Sequence, residues 1–283
     1  MTTPTIRAPA TPGDDPALRR RLDEGAWATA VAAAELSDLP TWATPQAPAS
    51  GADEGQETHL VDGLRLRERS VLAVDVATTA RGMGVLAELV TDLTAVVGVV
   101  RRLAVPEGAG LSGTRVLPGV EVDVTTIDHL VDEVLRLLPP AADDGGLVEA
   151  ELPEEHTVAL GRAVRTGDTA TVEAICADEG WASPPGILVA LVHELVGTAV
   201  VTVRRHGTGP LVGEWLLTRR GWVELVRTPR ATVRHVPRSR EDIARTLVTA
   251  LTGASTAVLA QADAAARDQE PDPPHDEAEG RHG

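Results

Sequence analysis

Residues 197–236, GTAVVTVRRHGTGPLVGEWLLTRRGWVELVRTPRATVRHV, decide the fold. Four β-rich runs, GTAVVTVRRH, PLVGEWLLT, GWVELVR and ATVRHV, are separated by the turns HGTG, RRG and TPR. Connections this short join antiparallel neighbours, so the block predicts a four-stranded meander. Alternation sets Trp215 and Leu217 on one face and Leu216 on the other. In the next strand Trp222, Glu224 and Val226 lie opposite Val223 and Leu225. Both faces carry apolar residues, as in a sheet covered by helices on one side and partly covered on the other. The chain has five Trp and neither Phe nor Tyr. For Trp222 two roles stand open, core filler and, with Glu224, part of a partner surface.

Working outward, SREDIARTLVTALTG (239–253) predicts a closing amphipathic helix, capped by Ser239 and Asp242 and stopped at Gly253. Upstream, 154–165, 168–179 and 184–195 read as helices, the last entered through Pro184-Pro185, and LVEAEL (147–152) reads as a strand. IDHLVDEVLRLL (127–138) has the spacing of an amphipathic helix, started by Thr125 and Asp128 and ended by Pro139-Pro140. Strands are expected at 70–78, 94–103 and 115–124, the last marked by Pro118-Gly119 as bulged or at an edge. A helix is expected over 81–93, a Gly-rich loop over 105–114, and a helix over Asp15–Leu36 with its Arg cluster near the start. Trp42, in the Pro/Ala/Gly stretch 40–58, is either a peg into the body or exposed.

ELVTDL-TAVVGVVRRL (88–103) resembles ALVHELVGTAVVTVRRH (190–206), each followed by a Gly-rich loop, more strand and a capped helix. The expected architecture is therefore α+β: one central antiparallel sheet built from two pseudo-repeated halves and flanked by helices. Four segments follow. Residues 1–58 are a flexible N-terminal segment with one helix and a linker; 59–139 are the first half. Residues 140–254 are the second half, with roughly one extra hairpin, and 255–283 are an acidic, disordered tail.

Composition narrows the function. The formal net charge of −16, to which the stretch from Asp263 onward contributes seven acids against two Arg, repels phosphate backbones and argues against nucleic acid. All 26 basic residues are Arg, and Lys and Asn are absent, which suggests GC-biased coding and an actinobacterial source. The single Cys176 excludes an internal disulfide. No secretory leader is visible, and no apolar stretch approaches the roughly 20 residues of a membrane span. The expectation is a soluble, cytoplasmic protein with no membrane insertion.

The chemistry-bearing residues form no recognisable constellation. His193-Glu194 lacks the second His of a zinc-protease motif, and Arg81-Gly82-Met83-Gly84 lacks the third Gly and the Lys of a phosphate loop. Asp143-Asp144 and Glu154-Glu155 read as charged turns and helix starts. No catalytic residue, metal site or cofactor is expected. An enzyme or small-molecule binder would have to use a cleft between the halves and gather several of His129, His193, His206 and His235.

Three segments together resemble the EspG family, cytosolic chaperones of ESX (type VII) secretion in actinobacteria. They are the order of elements over 59–253, IDHLVDEVLRLLPPAADDGGLVEAELP, and WLLTRRGWVELVRTPRATVRHVPRSREDIARTLVTAL. The resemblance implies two related halves around a central antiparallel sheet. It also implies a helical secreted partner, a PE/PPE or WXG-type protein or heterodimer, kept soluble for export. Contacts implied by the resemblance are the sheet, including Trp222 with Glu224, the loop Val105–Thr114, with Glu107 and Leu111, and a C-terminal helical bundle.

Overall fold

Short turns and alternating residues do make the meander. The computed structural model describes residues 18–49, 58–106, 113–141, 145–205 and 209–268. Chain order is β1 (Leu18–Leu22), α1 (Glu24–Ala33), α2 (Thr58–Arg65), β2 (Leu72–Ala80), β3 (Met83–Thr91), β4 (Ala95–Ala104), β5 (Arg115–Val116), β6 (Val120–Thr126) and α3 (Leu130–Leu137). It continues with β7 (Ala150–Pro153), α4 (Glu154–Thr166), α5 (Thr169–Asp178), α6 (Gly186–His193), β8 (Leu195–Arg205), β9 (Leu211–Thr218), β10 (Gly221–Arg227), β11 (Thr232–Arg238) and α7 (Arg240–Asp268).

All strands join one antiparallel sheet in the order β1-β6-β4-β3-β2-β8-β9-β10-β11-β7, with the two-residue β5 added to β4. The order is a palindrome. Read outward from the β2–β8 pair, β3 matches β9, β4 matches β10, β6 matches β11 and β1 matches β7, while α3 follows β6 as α7 follows β11. Antiparallel neighbours are related by a local two-fold, and this one passes near the central pair Val76–Val201. The mixed α+β fold with one large antiparallel sheet is as expected. The repeat register is not: 88–103 does not correspond to 190–206, because the counterpart of β4 is β10 and that of β8 is β2. Val-rich runs ending in two Arg recur in β4 and β8 without being equivalent. Nor does the second half hold an extra hairpin; the additional short strand, β5, lies in the first.

Three cores result. On the front face, α3 and α7 cover both halves through Leu130, Val134, Ile243, Leu247 and Leu251, packed on Val76, Val201, Trp215 and Trp222. On the back, Trp27, Leu60 and Leu64 from α1 and α2 cover Val97 and Val122. Over the second half, Leu160, Ile175 and Ile187 from α4–α6 cover Leu152 and Val223. The halves are tied along the β2–β8 seam by Arg204 of β8, which grips Asp75 of β2 and donates to Glu88 of β3 at 2.8 Å.

Several local expectations are corrected. Residues 83–91 are a strand, not a helix: Arg81 and Gly82, at φ 50° and 79°, make a two-residue turn that pairs Ala80 with Met83. The Arg cluster 19–21 sits on edge strand β1, where cations discourage intermolecular pairing, and α1 starts at the Asp23 cap. Thr125 and Asp128 form no capping box; Thr126 is the cap and gives no side-chain bond. Ser239 and Asp242 do cap α7 reciprocally, but Gly253 does not end it. Ala254 is buried, the following Ala-rich run favours helix, and α7 continues to Asp268. Its segment Arg240–Ala264 is long and apolar enough to cross a membrane by composition, contrary to expectation, though its apolar stripe faces the sheet. Trp42 is a partly buried peg against the first back core.

Two ionic clusters fix the first half. Arg101, fully buried, donates to both oxygens of Glu24, at 2.5 and 3.0 Å. The same carboxylate accepts from the backbone N–H of Gln46 and Gly119. At the outer front edge, Arg19 of β1 and Arg136 of α3 reach Asp123 and Glu133, and Arg136 also meets Glu121 at 2.7 Å. Burial, then the hydrogen bond with Glu133, push the Asp123 carboxyl up to about 7.

Candidate functional site

A concavity with an extensive apolar lining lies on the front face, between α7 and the sheet of the second half. It is a groove of about 620 Å³. Its floor is Val201 and Val203 from β8 with Leu211, Gly213 and Trp215 from β9; Leu247 and Ala250 of α7 form the opposite wall. Successive inward positions of β9 explain the floor. Gly213 has no side chain, so the Trp215 ring lies along the strand directly over it; any Cβ at 213 would collide with the ring. The indole is 1% exposed, and its N–H has no hydrogen-bond partner.

The lip is apolar and open: Leu211 and Val212 are 51% and 60% exposed. A monomer gains nothing from leaving two aliphatic side chains together in water; each is about half exposed and would contribute on the order of 1 kcal/mol if covered. The far wall is charged but internally paired. Glu224 accepts from Arg238 at 2.6 Å, and Asp242 from Arg245 at 2.7 Å. Capping of α7 by Ser239 holds the Asp242 carboxyl below its usual range. The groove thus offers apolar area beside neutralised ion pairs, a surface for an amphipathic chain segment. A larger concavity of about 1020 Å³ opens on the back between α4, α5 and the β10–β11 turn, with Glu154, Glu155, Arg162 and Arg230 in its lining. Its charged lining gives it less apolar surface to bury.

The expected site residues fare unequally. Glu224 lines the groove. Trp222, considered for a docking face, is 2% exposed. Its strand pairs it with Leu217, so both meander tryptophans face the same core under α7. Glu107 and Leu111 lie outside the described residues. His129, His193 and His235 stand on separate elements, and none lines either of the two concavities described above. His235 is buried, and desolvation pushes its imidazole down; His206 lies outside the described residues. Sequence reasoning missed Leu211 and Val212, and although the resemblance implied a C-terminal helical contact it named no residue of the α7 wall. The only signal was PLVGE, where apolar residues meet a Pro/Gly turn at a hairpin end.

Neither protein-family models nor curated proteins give a match to this chain.

Proposed function

We propose that the protein is a chaperone of the EspG kind, holding a helical secretion client of the PE/PPE or WXG class soluble in the actinobacterial cytoplasm before type VII export. The reading rests on the resemblance of the quoted segments. It is supported by the palindromic two-half sheet with its helical layers, which agrees with what that resemblance implies. The observation that carries it is the apolar groove with Leu211 and Val212 open at its lip. An apolar client tip laid there would be removed from water while α7 supplied a helical wall. The loop carrying Glu107 and Leu111 is proposed as a second contact. No observation favours the alternative of an enzyme cleft between the halves.

The test is co-expression of the untagged chain with tagged helical proteins encoded beside it. The expected result is a stoichiometric complex by size exclusion, lost in Leu211→Arg/Val212→Glu while the circular dichroism spectrum is unchanged. Failure of every such client to co-purify sinks the proposal; a complex indifferent to both substitutions moves the site elsewhere.

A further inference from the structure

A second constellation lies away from the groove, on the back of the second half. Helices α4 and α5 form a tight hairpin: Gly167, at φ 72°, ends α4, and Asp168 immediately caps α5. The first turn of α4 is thereby brought against the last turn of α5. His156 from the former meets Asp178 and Glu179 from the latter, with one donor atom of each within 4.8 Å of the others.

The contacts are unequal in an informative way. His156 Nδ1 lies 2.6 Å from Glu179 Oε1, a good hydrogen bond. That bond keeps the proton on Nδ1 and turns Nε2 toward Asp178 Oδ2, at 3.7 Å. This is too long for a hydrogen bond. It is close to the roughly 3.3–3.6 Å between two ligands held at about 2.0–2.2 Å by one tetrahedral ion. Asp178 is 72% exposed, so its carboxylate is free to close the remaining few tenths. A carboxylate that orients the imidazole while the other ring nitrogen faces an acid is the usual second layer of a histidine–metal site. The C-terminal carbonyls of α5 add negative potential there.

We propose that His156 Nε2 and Asp178 bind one divalent transition-metal ion of the zinc class, with Glu179 as the positioning carboxylate and water in the open positions. An imidazole beside a carboxylate favours Zn²⁺ over Mg²⁺ or Ca²⁺. The ion bridges the first turn of α4 and the last turn of α5, and so locks the hairpin. Cys176 takes no part: it is buried, and burial pushes its thiol up.

The experiment is calorimetric titration of the full-length, tag-free chain with zinc chloride, with thermal melts in parallel. The expected result is a tightest site of one ion per chain, a raised melting temperature with zinc, and neither effect with magnesium. His156→Gln should weaken that site at least about tenfold and remove the thermal shift, and Glu179→Gln, which keeps both donors, should weaken it by about tenfold. If His156→Gln fails to fold, as judged by circular dichroism, Asp178→Asn at the exposed position replaces it with the same expected loss. Absence of binding up to millimolar zinc overturns the proposal, as does binding unchanged in these variants. Neither result bears on the client groove, which shares no residue with this site.

Discussion

Replacing Glu24 with Gln should destabilise the protein more than any other single charge removal on its surface. Glu24 opens α1, yet its carboxylate points into the body, where Arg101 is fully buried and its side chain has no other acidic partner among the described residues. The Arg101 hydrogen bond, helped by the backbone N–H of Gln46 and Gly119, lowers the Glu24 pKa from 4.5 to about 2. At about 1.36 kcal/mol per unit, that difference corresponds to roughly 3 kcal/mol at neutral pH. The folded pKa is depressed, so this contribution is present above about pH 4.5 and is lost as pH falls toward 2. Urea unfolding followed by Trp fluorescence is the assay. Trp27 reports locally, because its indole donates to Ala43 O at 2.7 Å beside the same cluster. Glu24→Gln should lose about 3 kcal/mol at pH 7, and less than half of that near pH 3. Exchanging Arg101 for Met in the same chain should recover part of the loss, since an unpaired buried guanidinium is worse than none. A loss below about 1 kcal/mol, or one that does not shrink with acid, refutes the reasoning.

Other expectations concern different parts of the chain. Asp123 binds its proton more tightly when folded, with a carboxyl pushed up to about 7 from 3.8, so its contribution to wild-type stability should be full below about pH 4 and lost by the time pH has passed 7. Asp123→Asn should flatten that decline in melts taken between about pH 4 and 7; an unchanged slope contradicts the assignment. Gly253 lies inside α7, with nothing within 4 Å of where its Cβ would stand. Gly253→Ala should therefore raise stability by about 0.5–1 kcal/mol in urea, and a loss would mean that α7 ends there after all.

What could be read from the chain followed the range of the forces involved. The meander β8–β11 and helices α3–α6 are written locally, in turn length, alternation and apolar spacing. β3 is not: in mid-sheet it is buried on both faces, Leu89 toward the front and Val90 toward the back. Its apolar pattern therefore loses the period of two and imitates a helix. The turn before it uses a non-Gly residue, Arg81, at positive φ, which leaves almost no sequence signal. β1 was hidden because its face toward solvent is Arg, and Gly253 misled because a helix-ending residue was followed by good helix formers. The two-half plan was visible as a quasi-repeat, but matching by composition aligned β4 with β8 and missed the dyad. The groove was least legible of all. Its floor, lip and wall come from β8, β9 and α7, and only tertiary packing shows that Trp222 is inside while Leu211 and Val212 remain outside.

The central claim is that an apolar client segment lies between β9 and α7. Hydrogen-exchange mass spectrometry of the chain with and without a co-purified helical client tests it directly. Slowed exchange should concentrate in peptides covering 209–215 and 242–253, with α4 and α5 unchanged. Protection confined to the α4–α5 side, or none at either segment despite a stable complex, would contradict the account.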